Sequence, residues 1–174
     1  MNVALLVLRI VVGALFVGHG AQKLFGWFRG AGPRQTASFF ESVGFAPALP
    51  LAILAGLAEL VGGALLAFGL FVPAAAALLI AVMTAATVAV HWAHGLWNQD
   101  GGFEYPLVLA TAAFTVAALG PGTISLDNAF GIAWSGLGWA VAALLVGLVA
   151  GLGAWALRRF ARVRRPEEQL ARAA

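Results

Sequence analysis

The run Val3–Leu24, VALLVLRIVVGALFVGHGAQKL, decides the class of this protein. At about 1.5 Å per residue a helix of this length covers roughly 33 Å, enough to cross a hydrocarbon core about 30 Å thick. Its only charged side chains are Arg9 and Lys23. No basic stretch precedes the run and Arg9 interrupts it, so it reads as a span rather than a cleaved signal peptide.

The rest of the chain repeats the pattern. Leu51–Phe71, Pro73–Leu96 and Ser135–Leu157 are further apolar runs, and Pro106–Leu119 is a shorter one. Across all 174 residues 62% are apolar and 10% charged, with a mean hydropathy of +0.95. A water-soluble domain carries about a quarter charged residues, so this surface is built for hydrocarbon. The expected fold is an all-α integral membrane bundle. Residues 1–134 form a four-helix core with an amphipathic surface segment near 33–44, residues 135–157 a fifth transmembrane helix, and 158–174 a basic tail. The Gly69–Pro73 link is short enough to make its two helices antiparallel neighbours.

Charge placement tests this count. With five spans, the Phe25–Pro50 loop (Arg29, Arg34) and the tail share one face, while the loops on the other face hold no Lys or Arg. With four spans the basic regions fall on opposite faces, against the positive-inside rule. The expectation is a multi-pass protein of the cytoplasmic membrane with its tail in the cytoplasm. Trp27, Trp92, Trp97 and Trp155 then lie near the inner interface, Trp134 and Trp139 near the outer one. A pI near 10.6 does not signal nucleic acid, because six of the ten basic residues lie from Arg158 onward, where they suit anionic lipid. With no cysteine, the chain offers no disulfide and no thiolate-ligated cluster.

Charges within a span cost roughly 2.5–3.5 kcal/mol each on insertion scales, so their facing is informative. At about 100° per residue, Arg9, His19 and Lys23 share one arc of the first helix with Gly13 and Gly20. Glu59 shares an arc of the second with Gly56, Gly62 and Gly63. Thr84, Thr87, His91 and His94 form a stripe on the third, and Glu104, Thr111 and Thr115 one on the fourth. The economical expectation is that the four faces meet and that Arg9 pairs with Glu59. Gly147-x-x-x-Gly151 on the fifth helix is a weak packing signal. Arg9, His19, Lys23, Glu59, His91 and Glu104 are the candidate binding residues. Each also has a structural reading. Arg9–Glu59 locks helices together, Lys23 snorkels to headgroups, His94 is solvated, Glu104 favours a helix start, and the threonines bond their own backbone.

These residues also carry a family resemblance. Leu8-Arg9-Ile10 with Gly13, Gly18-His19-Gly20-Ala21-Gln22-Lys23-Leu24-Phe25-Gly26 and Ala58-Glu59-Leu60-Val61-Gly62-Gly63 come first. His91 with Gly95, Gly101-Gly102-Phe103-Glu104-Tyr105, Gly120-Pro121-Gly122 and Ser125-Leu126-Asp127 follow in order. The chain resembles the DoxX family of small bacterial membrane proteins, with the fifth helix and tail as an addition to a four-helix core. The resemblance implies a redox association, since relatives include a subunit of a thiosulfate:quinone oxidoreductase and membrane partners of thiol-handling and superoxide-detoxifying proteins.

Several functions compete. One is a quinone-interacting oxidoreductase subunit without its own electron carrier, fed by a soluble or membrane redox partner. A second is a non-catalytic scaffold recruiting soluble partners, alone or as an oligomer. A third is a small-molecule or proton transporter, against which stands the lack of a convincing internal repeat. Haem between His19 and His91 is disfavoured for want of an accompanying motif. His91-x-x-His94 supplies too few ligands for zinc. Nucleophilic triads, phosphate loops and nucleic-acid modules are absent.

Overall fold

Helix α1 (Asn2–Phe25) packs antiparallel on α3 (Ala48–Phe68), and glycines explain how closely. A Cβ on Gly13 would stand 2.5 Å from the Gly63 carbonyl oxygen, and one on Gly20 would stand 2.7 Å from that of Gly56. Backbone therefore meets backbone at two levels, the close approach that small residues permit between membrane helices. A computed structural model describes the backbone of residues 2–173 and the side chains of residues 2–157.

Between α1 and α3, α2 (Gly32–Ser42) forms the expected amphipathic segment and packs against both. Helix α4 (Val72–Ala86) follows a tight turn and is antiparallel to α3, as the short link required. It continues as a π-helical stretch, Thr87–His91, and a 3-10 turn, Trp92–His94. Helix α5 (Glu104–Leu119) returns, short α6 (Leu126–Ala129) folds within the next loop, and α7 (Leu137–Ala173) runs parallel to α4. The Gly147/Gly151 signal is used: Cβ atoms there would lie 2.6 Å from Ile80 Cγ2 and from the Ala81 carbonyl oxygen on α4. The central helix is α4, in contact with α3, α5 and α7.

Among the described residues four helices are long and apolar enough to span a bilayer: Asn2–Phe25, Ala48–Phe68, Val72–His94 and Leu137–Leu157. The fifth, α5, has 16 residues, or about 24 Å of helix. It crosses the bundle between α1, α4 and α7. Polarity is distributed inside out. Val7, Val11, Leu57, Val61, Leu145 and Val149 point outward, whereas Arg9, Glu59 and Asp127 are 1%, 2% and 0% exposed. That arrangement suits a protein whose solvent is lipid.

The apolar part of the last helix is Leu137–Leu157, and its backbone stays helical to Ala173 through a stretch rich in Arg and Ala, which favour helix. The side chains of the basic tail, 158–174, lie outside the described residues.

Candidate functional site

The four polar faces do not meet in one place. They resolve into separate groups, and the expected Arg9–Glu59 pair is not made. The first group lies at the end of the bundle holding Asn2, the Gly69–Phe71 turn and the 120–136 loop. There Arg9 donates through its two terminal nitrogens to the carbonyls of Pro121 and Ile124, both at 2.5 Å. Asp127 sits within Coulombic reach of the guanidinium. Its carboxylate accepts from the backbone N–H groups of Phe71 at 2.8 Å and Val72 at 3.2 Å, so it caps α4 from a distant loop, where negative charge and the helix dipole agree. Gly69 completes the fit, since a Cβ there would overlap the Arg9 side chain. Arg9 is thus bound into the folding of the loop. Its long side chain reaches toward the nearer end of the bundle, where free carbonyls await it, rather than inward to Glu59.

The second group lies toward the opposite end. Lys23 Nζ donates to Glu59 Oε2 at 2.6 Å. Lys23 does not snorkel outward. It passes Gly56, whose missing Cβ leaves room beside the lysine stem, and reaches the carboxylate one helical turn further on. His19 stands beside this pair within Coulombic reach of Glu59. Its Nε2 lies 3.3 Å from the Tyr105 hydroxyl and its Nδ1 3.2 Å from Gln22 Oε1. Tyr105 in turn lies within Coulombic reach of Glu59. Three helices, α1, α3 and α5, therefore bring His19, Gln22, Lys23, Glu59 and Tyr105 into one cluster. The Glu59 side chain is 3% exposed but that of Lys23 is 24%, and Tyr105 is 39% exposed, so the cluster can be reached from outside.

His91 and Glu104 are placed elsewhere. His91 Nδ1 donates to the Gly101 carbonyl at 2.7 Å, and Glu104 accepts from the Asn98 backbone N–H at 3.0 Å. Both hold the 95–103 loop. The π-helical turn explains the miss: from Thr87 the helix no longer advances 100° per residue, so the stripe extrapolated from Thr84 to His94 is broken. His94 donates to the Val90 carbonyl. Thr111 and Thr115 return their hydroxyls to Leu107 and Thr111 carbonyls at 2.8 Å, the backbone-bonding role. Among the described residues no three metal-ligating side chains gather.

A separate apolar groove of about 500 Å³ opens between α4, α5 and α7, lined by residues such as Ile80, Thr84, Leu107, Thr111 and Leu148. The α5 side chains Leu107, Ala110 and Phe114 face it, while Tyr105 on the opposite flank of α5 faces α1. Sequence reasoning had not singled out Gln22 and Tyr105 as site residues. Gln22 follows His19 by three residues, the helical spacing that places side chains together. Tyr105 offered no periodic signal.

Together these features define a multi-pass membrane bundle of five apolar helices with a polar centre near each end. Its sequence matches the DoxX family model over residues 4–92. The chain belongs to the DoxX family. That match takes in His19, Gln22, Lys23, Glu59 and His91, while Tyr105 and Asp127 lie beyond it. Neither curated proteins nor solved structures yield a match.

Proposed function

We propose that this protein is the membrane subunit of a redox complex of the bacterial cytoplasmic membrane and that the Lys23–Glu59–His19–Tyr105 cluster binds a quinone headgroup. One observation carries the reading: an ion pair with a buried carboxylate, Lys23–Glu59, stands where packing does not need it. Helices α1 and α3 are already in backbone contact through Gly13/Gly63 and Gly20/Gly56. A buried ion pair is on balance weak as a stabiliser, because desolvation offsets its attraction. A purely structural role leaves it unexplained.

The donor set fits such a headgroup. The Lys23 and Tyr105 side chains are both partly accessible; the ammonium suits a carbonyl oxygen, and the phenol oxygen can hydrogen-bond a ligand oxygen as donor or as acceptor. His19 and Glu59 stand behind them as groups able to hold or release a proton. A bound quinone accepts two electrons and two protons. With no cysteine in the chain, the electrons come from a partner protein docked at the membrane surface. The family resemblance supports the redox setting, and the accessible cluster supports the ligand.

The test is quinone content. Protein purified in native lipid and moved into nanodiscs containing a long-chain quinone should retain it near one per chain. Tyr105→Phe should lower retention about tenfold, equivalent to the ~1.4 kcal/mol of one lost hydrogen bond. Retention no greater than in empty nanodiscs, or unchanged by Tyr105→Phe, would refute the assignment.

A further inference from the structure

The hydrogen bonds around His19 have a fixed polarity, and it originates outside the cluster. The Phe28 carbonyl can only accept, and Gln22 Nε2 donates to it at 3.4 Å. That orients the amide, so Gln22 Oε1 faces His19 Nδ1 at 3.2 Å. An amide oxygen cannot donate, so Nδ1 must carry the hydrogen. In neutral His19 the Nε2 lone pair is then free, and the Tyr105 hydroxyl at 3.3 Å must be the donor. The chain runs in one direction: Tyr105 O–H to His19 Nε2, His19 Nδ1–H to Gln22 Oε1, Gln22 Nε2–H to the Phe28 carbonyl.

The loop at the end of this chain is built around Gln22. Residues Gly26, Phe28, Arg29 and Gly32 all have φ between 51° and 71°. For a bulky residue such as Phe28 that conformation is unusual and points to a constraint worth keeping. Gly30 packs directly on Gln22, where any Cβ would overlap the Gln22 backbone and side chain. The loop thus presents the Phe28 carbonyl to the amide.

We infer that Gln22 is a positioning residue which holds His19 as its Nδ1–H tautomer, making His19 Nε2, through Tyr105, the proton acceptor for a hydroxyl-bearing ligand. This rests on the quinone reading above and gives it a direction. A ligand hydroxyl that donates to the Tyr105 oxygen releases its proton along the chain: one O–H bond breaks in the ligand, Tyr105 passes its own proton to Nε2, and His19 becomes imidazolium beside Glu59. The return path, delivering a proton to a ligand oxygen, opens only from the imidazolium. At rest the site therefore takes up a ligand proton, and it returns one to a reduced quinone's oxygen only after His19 has been protonated.

The measurement is solid-state NMR of the full chain in lipid with ¹⁵N-labelled histidine, the His19 signals identified by their loss in His19→Gln. In the wild type, one-bond N–H coupling is expected at Nδ1 of His19 and not at Nε2. Gln22→Leu removes the acceptor and should move the proton to Nε2, while Gln22→Glu, which keeps an acceptor, should restore Nδ1–H. Coupling at Nε2 in the wild type, or a tautomer indifferent to Gln22→Leu, overturns the inference. Quinone content of the same samples separates the two claims: the expected tautomer without retained quinone sinks the functional reading alone, and retained quinone with an Nε2–H tautomer sinks the positioning role alone.

Discussion

Replacing Arg9 with methionine will destabilise the bundle by about 3–5 kcal/mol, the range for removing one member of a buried charged network. The side chain is fully buried and carries two hydrogen bonds to the 120–129 loop. Without it the Pro121 and Ile124 carbonyls lose their donor, and Asp127 keeps its charge with no cation near. Asp127 in turn bonds the first N–H groups of α4, so the damage reaches the central helix. Thermal unfolding in lipid should show a large fall in Tm for Arg9→Met and for Asp127→Asn. The double variant should cost clearly less than the sum, with a coupling of about 1 kcal/mol or more. Arg9→Met combined with Glu59→Gln should be additive within about 0.5 kcal/mol. The opposite pattern would mean that Arg9 works with Glu59 and that the end lock described here is wrong.

The second large effect belongs to the α1–α3 seam. A leucine at Gly63 places its Cβ 2.7 Å from the Gly13 carbonyl oxygen and 2.8 Å from Phe16 Cβ. The first of these atoms is backbone and cannot turn aside, so the helices must separate. The expected cost is about 3 kcal/mol, the upper part of the range for overpacking. Gly18 supplies the internal comparison. It lies on the partner helix α1, but a Cβ there meets nothing within 4 Å, so Gly18→Leu should be neutral or slightly stabilising through helix propensity. Equal losses for Gly63→Leu and Gly18→Leu, read as the folded fraction in lipid, would contradict the backbone-contact account.

How far the sequence could be read follows from what each signal depends on. Apolar run length and loop charge gave five helices, because bilayer thickness and the cost of exposed charge act residue by residue. The 100° periodicity correctly placed His19 and Lys23 on the face of α1 that meets Glu59, with the glycines that bring the helices together. It failed for His91, where the π-helical turn changes the angular step without a marker in the sequence. It could not choose partners for Arg9 and Lys23 either. Both side chains are long enough to reach in two directions, and the choice depended on where free acceptors lay: loop carbonyls for Arg9, a carboxylate beside a glycine gap for Lys23. Asp127 was legible only as part of a family pattern, since its capping of α4 requires the 120–129 loop to have folded back.

The proposed function divides the labour between the two centres: the Arg9–Asp127 end holds the fold, and the Lys23–Glu59 end is the one we propose binds a ligand. Substituting methionine for both Lys23 and Glu59 separates the two roles, because exchanging a buried ion pair for apolar side chains of similar size is commonly neutral or stabilising. Quinone retained per folded chain in nanodiscs should fall to the level of empty discs in that double variant while Tm stays at the wild-type value. Undiminished retention, or a variant that no longer folds, would show that the pair serves the bundle and not a bound molecule.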